Sequence, residues 1–236
     1  MTRNLGVSIT WLGHATVLYR SEKGTRVLAD AWVDGNPACP AAARDLKSVD
    51  LMLITHGHSD HFGDCATIAK KYGPDIVCVW EIAQYLDSHG VAKLHAMNKG
   101  GTQSVNGVKV TMVNAVHSST IADGDRLLPA GEACGYVIEF ENGTRVYHAG
   151  DTGIFGDMKL IGDLYHPSVA VLPIGDLFTM SPFEAAAAAR MLAVKAVVPI
   201  HHSTFSALTG TPAALREHLT GSGIEVVELK PGATAD

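Results

Sequence analysis

From Thr55 to Cys65 the chain reads Thr-His-Gly-His-Ser-Asp-His-Phe-Gly-Asp-Cys, so His56, His58, Asp60 and His61 fall within six positions. Imidazole nitrogens and carboxylate oxygens are the donors that suit zinc, manganese and iron. Packing explains such density poorly, because neutral histidines crowded together leave ring nitrogens in need of partners. The cluster follows an apolar run ending at Ile54, which places the donors at the rigid end of a strand and not on a free loop.

Further ionisable residues stand at the ends of other expected strands. His117 follows Val110 to Val116, Asp151 follows Val146 to Gly150, and His201 and His202 follow Val197 to Ile200. Strand ends gathered at one sheet edge are where α/β proteins assemble sites, and the donor count suffices for two cations. Neighbours on an extended strand point to opposite sides, so one of His201 and His202 is expected to face the metals and the other to face elsewhere. His89, His95, His166 and His218 are expected at the surface. The glycines from Gly150 to Gly156 match neither a dinucleotide fingerprint nor a P-loop.

The elements that must position these donors are legible in outline. Three β-rich segments open the chain, Val7 to Leu12, Thr16 to Arg20 and Arg26 to Ala29, with His14 in the turn between the first two. Alternation follows the segment Leu51 to Ile54: a helix near Asp64 to Tyr72, a strand over Ile76 to Trp80 and a helix near Glu81 to His89. Val108 to Val113, Gly135 to Glu139 and Thr144 to His148 read as strands, the last two joined by an Asn142-Gly143 hairpin turn. Val169 to Ile174 is an all-apolar strand, after which the loop from Gly175 offers Phe178 and Met180 as pocket-wall residues. Ser181-Pro182-Phe183-Glu184 opens an alanine-rich helix with a capping box and proline at its first position. Val197 to Ile200, a helix from Thr211-Pro212 and a strand over Val226 to Leu229 finish the chain. No composition break divides it, so 1–236 is expected to form one domain of two β-rich sheets flanked by helices.

The chain of 236 residues is 47% hydrophobic, enough to bury a large core. A net charge of −6, with no Lys/Arg block longer than Lys70-Lys71, leaves no electrostatic footprint for nucleic acid. Cys39, Cys65, Cys78 and Cys134 form no Cys-x-x-Cys pair and read as buried free thiols in a reducing compartment. The start lacks a signal-peptide pattern and no apolar run is long enough for a membrane span. A cytoplasmic protein acting on a small molecule, without nucleic-acid or membrane partners, is the expectation.

Thr-His-Gly-His-Ser-Asp-His, Ala-Val-His-Ser-Ser, His-Ala-Gly-Asp-Thr-Gly and Pro-Ile-His-His-Ser-Thr-Phe, in this order, resemble the metallo-β-lactamase-fold hydrolase superfamily. Trp11-Leu12-Gly13-His14-Ala15-Thr16 and the stretch Tyr147 to Met158 are similar to a branch of metal-dependent hydrolases that includes L-ascorbate-6-phosphate lactonase. The resemblance implies a four-layer αββα sandwich of two mixed sheets. It implies two divalent cations, zinc first and manganese or iron next: His56, His58 and His117 on one, Asp60, His61 and His201 on the other, Asp151 between them. A bridging hydroxide would attack a small ester-like substrate, a lactone or phosphorylated-sugar lactone, with Asp60 as proton carrier and His14, His148 and His202 in supporting roles. Phosphodiester hydrolysis is the close alternative, since the Trp11 segment also resembles N-acyl-phosphatidylethanolamine phospholipase D. Iron-dependent redox chemistry and metal binding without catalysis rank lower: di-iron relatives commonly carry a carboxylate where His58 stands. Relatives also suggest a homo-oligomer.

Overall fold

Each half of the chain builds a sheet by the same series of pairings, antiparallel hairpins first and parallel crossovers after. In the computed structural model, which describes residues 4–236, β1 (Ser8–Gly13), β2 (Thr16–Arg20) and β3 (Arg26–Ala29) pair antiparallel. β4 (Leu51–Leu53), β5 (Asp75–Val79) and β6 (Leu94–Met97) then add in parallel. In the second half β7 (Thr102–Val105), β8 (Val108–Asn114), β11 (Cys134–Glu139) and β12 (Arg145–His148) are antiparallel neighbours. β13 (Val169–Pro173), β14 (Ala196–Ile200) and β15 (Glu225–Val226) extend this sheet in parallel. A separate hairpin, β9 (Thr120–Asp123) with β10 (Arg126–Pro129), projects between β8 and β11, and β16 (Thr234–Ala235) closes the first sheet beside β1.

The helices connect the parallel strands. A single turn, α1 (Ser59–Phe62), and α2 (Cys65–Tyr72) follow β4; α3 (Trp80–Ser88) follows β5. α4 (Met158–Tyr165), α5 (Pro182–Met191) and α6 (Pro212–His218) belong to the second sheet. Alternation along that sheet decides its layers. Tyr136, Ile138, Val146, Val171 and Val198 join the core shared with the first sheet, whereas Val137, Tyr147, Ala170, Leu172 and Val197 pack with α4, α5 and α6. Side chains on opposite faces of the pleat thus bind one sheet to the other and to its helices. Two mixed sheets flanked by helices result. β4, β13 and β14 are buried throughout, as parallel strands covered on both faces must be.

Most expected elements are present at nearly the expected bounds. Ser181 accepts from Glu184 N while the Glu184 carboxylate accepts from Ser181 N, completing the capping box that starts α5. Gly143, at φ +83°, makes the turn between β11 and β12. Other elements differ. Trp80 opens α3 instead of ending a strand, and the strand expected over Val226 to Leu229 is the short β15. β6, β7 and the β9–β10 hairpin arise in segments with mixed polarity, where periodicity is weak and tertiary pairing supplies the order; α4, also unexpected, is amphipathic and buries Met158 and Ile161. Among the described residues no helix is long and apolar enough to cross a membrane.

Candidate metal centre

The donors converge on one edge where four strands end. β4 leads into Thr55 and the histidine cluster, β8 into His117, β12 into Asp151 and β14 into His201. The one-turn helix α1 carries Asp60 and His61 on successive positions, and Gly57 lets the preceding backbone pass close to the β9–β10 hairpin. A Cβ there would meet Ile121 Cγ1 at 2.8 Å and Ala130 Cβ at 2.9 Å.

Three donor groups form. His56, His58 and His117 make one; His14, Asp60, His61 and His201 make another; His56, His61 and Asp151 make the third, the candidate ligand atoms of each lying within 4.8 Å of one another. His56 Nε2 and His58 Nδ1 are 3.0 Å apart. Asp151 Oδ2 lies 3.1 Å from His201 Nε2, 3.3 Å from His61 Nε2 and 3.6 Å from His117 Nε2. Tetrahedral donors at zinc–nitrogen distances of about 2.0–2.1 Å stand roughly 3.3 Å apart, so the separations from Asp151 Oδ2 match donors around a shared cation, while His56 and His58 stand at hydrogen-bond distance. The buried atoms His61 Nε2 and Asp151 Oδ1 have no hydrogen-bond partner among the described residues, which is costly unless something else satisfies them. Burial also holds His56, His58 and His117 below the usual imidazole pKa, hence in the neutral form that ligates. Burial disfavours a charge on His61 too, but the Asp151 and Asp30 carboxylates outweigh it and hold this imidazole well above the usual value, so a cation there takes the place of its Nε2 proton. The residues therefore fit divalent cations.

Behind them lies a carboxylate that the reading of the chain passed over. Asp30, fully buried with φ +56°, follows β3. Burial opposes its ionisation, but the charge of His61 and the neighbouring His148 outweigh that and hold it far below the ordinary carboxylate range. An ionised carboxylate only accepts. His61 Nδ1 must therefore donate to Asp30 Oδ2 (2.6 Å), and Thr55 donates to it through both N (2.9 Å) and Oγ1 (2.8 Å to Oδ2). With its proton committed, Thr55 Oγ1 accepts from His56 Nδ1 at 3.0 Å. One carboxylate thereby orients an imidazole in each of two donor groups, turning both Nε2 atoms forward. Its position at the end of Val27-Leu28-Ala29 was the available signal, the same that marked Asp151.

His14 is fully buried at the two-residue turn between β1 and β2, with φ +55°. Its carbonyl accepts from His201 N and Trp11 Nε1, both at 2.8 Å, which ties the turn to the end of β14. Burial pushes its pKa down, so the ring is neutral. Asp60 is pushed up by burial but brought well below the usual range by the hydrogen bond from His14 and the charge of His61. His14 Nε2 accordingly donates to Asp60 Oδ2 (2.9 Å), and Nδ1 accepts from Thr204 Oγ1 (3.0 Å).

Other residues singled out in the sequence lie elsewhere. His202 stays out of all three groups: its ring stacks on Trp11 at 4.8 Å, with Nδ1 2.9 Å from Ser203 Oγ, and burial lowers its pKa to about 4. His201 and His202 diverge, although not by strand alternation: β14 ends at Ile200 and His201 has left-handed backbone, φ +54°. His148 sits between the sheets, 2.8 Å from the Tyr19 hydroxyl. Met180 is buried with the α5 core, whereas Phe178 is exposed. His89, His166 and His218 are exposed, and half-buried His95 pairs with Asp75 at 2.6 Å.

Comparison with known proteins agrees with this geometry. The β-lactamase superfamily domain matches residues 25–202. A UPF0173 metal-dependent hydrolase of Koribacter versatilis (strain Ellin345) is 52% identical over 97% of both chains. Among solved structures, Igni18, a metallo hydrolase from Ignicoccus hospitalis KIN4/I, is 32% identical over 97% of each chain with a TM-score of 0.86. The isothiocyanate hydrolase from Delia radicum gut bacteria is 25% identical over 97% of this chain and 98% of its own, with a TM-score of 0.73. Since the domain spans most of the chain and the relatives align nearly end to end, this chain belongs to the β-lactamase superfamily and is a metal-dependent hydrolase.

Proposed function

We propose that the chain, acting as one unit over 1–236, hydrolyses a small ester-like molecule, a lactone before a phosphodiester, at a pair of divalent cations, zinc first among them. His56, His58 and His117 would hold one, Asp60, His61 and His201 the other, with Asp151 shared. The observation that carries this reading is Asp151 Oδ2, within 3.6 Å of imidazole nitrogens from both sets. Two neighbouring cations need an anionic oxygen between them, and Asp151 is placed to supply it. When bound, such cations supply Lewis acidity and bring the pKa of water to about 7.

The chain's own groups do the rest. Asp60 is 28% exposed in its side chain, and His14 occupies its Oδ2, which leaves Oδ1 as the atom to receive and return a proton. His14 holds that carboxylate in place. His202, turned onto Trp11, has no bond-making role in this proposal. The substrate is a small molecule, taken in the cytoplasm without a nucleic-acid or membrane partner.

Elemental analysis of protein purified without added metal tests the foundation. Two equivalents of transition metal per chain are expected, falling toward one in His58→Ala; no metal in the unmutated protein would end the proposal. A panel of lactones and phosphodiesters then ranks the chemistry, and turnover of phosphodiesters alone would reverse the order.

A further inference from the structure

The segments that surround the donors share a composition with consequences for the substrate. Residues 11–16, 30–36, 54–64, 115–119, 149–157, 174–181 and 200–209 contain no lysine or arginine. The side chains with the largest electrostatic effect on His14, His58, Asp60, His117 and Asp151 are histidines and aspartates. The exposed charges in these segments, such as Asp34, Asp157 and Asp176, are acidic. A phosphate on a substrate's far end would meet no cationic side chain there.

Apolar groups stand in their place. Phe205, four residues beyond His201, is 44% exposed; its ring lies edge-on to His14 at 5.3 Å and tilts against half-buried Trp32 at 6.2 Å. Asp60 touches the same His14 ring through Nε2. Exposed Phe205 and half-buried Asp60 thus both contact the His14 ring, which links the aromatic pair to the proposed proton carrier.

A second apolar pair lies on the loop after β13. Leu177 and Phe178 are exposed, and Asp176 and Leu177 both adopt left-handed φ, +64° and +57°. A leucine in that region is strained, and the fold sustains it there. The loop is fixed to the site from two directions: Met180 N donates to Thr152 O at 3.1 Å, next to Asp151, and Gly175 packs directly on the His201 carbonyl oxygen. Val116, adjoining His117, is also exposed.

We propose that the substrate's organic portion is apolar and unphosphorylated and that it seats on the Phe205–Trp32 shelf, with the electrophilic group toward Asp60 and Asp151. This rests on the hydrolytic reading and narrows it: a hydrophobic ester or lactone, not a phosphorylated-sugar lactone. Aromatic rings stack favourably and exclude water, whereas a phosphate near acidic groups is repelled.

Calorimetric titration of the metal-containing protein with acetate, 4-phenylbutanoate and 6-phosphogluconate decides the point. These carboxylates have the form of hydrolysis products and need no turnover. 4-Phenylbutanoate is expected to bind at least tenfold more tightly than acetate and more tightly than 6-phosphogluconate. In Phe205→Ala the ratio of the acetate Kd to the 4-phenylbutanoate Kd should fall about five- to tenfold, and Phe205→Leu should restore much of it. A ratio near one, preference for 6-phosphogluconate, or a ratio that ignores Phe205→Ala would overturn the assignment. Hydrolysis of the methyl esters of acetate and 4-phenylbutanoate, and of 6-phosphogluconolactone, is measured in parallel. Absence of all turnover would count against the hydrolytic proposal, while the binding ratios would still decide the shelf.

Discussion

Replacing Asp30 by Asn tests whether a single buried carboxylate directs both halves of the donor constellation. Asn is nearly isosteric and tolerates the φ of +56° at this position. Its carbonyl oxygen can take the Oδ1 place, retaining Thr55 N at 2.9 Å and Thr55 Oγ1 at 3.0 Å. The amide nitrogen must then occupy the Oδ2 place, 2.6 Å from His61 Nδ1, where two N–H donors would oppose each other. His61 escapes by moving its proton to Nε2, the atom that faces Asp151, and the ligating lone pair is lost. Outer-shell partners of metal-bound histidines are typically worth 10- to 100-fold in affinity, or about 1.4–2.8 kcal/mol. The loss should fall on the cation held by Asp60, His61 and His201. Thr55→Val removes the hydroxyl that donates to Asp30 and accepts from His56 Nδ1 but leaves the Asp30–His61 hydrogen bond, so its larger loss should fall on the cation held by His56, His58 and His117. Titration of metal-free protein with zinc, resolved into two steps by calorimetry, reads both. Wild-type affinity at both steps in Asp30→Asn, or the same step weakened most by both variants, would refute the proton assignments built on the ionised Asp30.

Three other outcomes follow from packing. Gly175→Ala sets a methyl on the His201 carbonyl oxygen and should cost about 1–3 kcal/mol, a drop of roughly 2–12 °C in Tm for a chain of this size; an unchanged melting curve would show that the backbone yields there freely. Ser181→Ala breaks the capping box of α5 and should cost about 1 kcal/mol, read as a denaturant midpoint shift without change in slope. Cys39, Cys65, Cys78 and Cys134 are buried and free, and burial pushes the Cys134 thiol up to about 12; all four should resist a thiol reagent at pH 8 and react after unfolding. Rapid labelling of Cys65, Cys78 or Cys134 in the folded protein would contradict the packing of the core between the sheets.

The amino-acid sequence alone determined the type of chemistry and much of the architecture. Dense His and Asp donors after apolar strands, the Ser181 cap and the Asn142-Gly143 turn are local signals, because propensity and side-chain chemistry act over a few residues. Tertiary structure decided which donors meet. His201 faces the donor groups while its neighbour His202 stacks on Trp11, a choice set by how β14 ends beside the His14 turn. Asp30, 31 residues before His61, and His14, 46 before Asp60, act only because strand pairing closes those separations. No short-range pattern records such contacts: their partners are chosen by the register of the sheets, and register is a property of the whole packed chain.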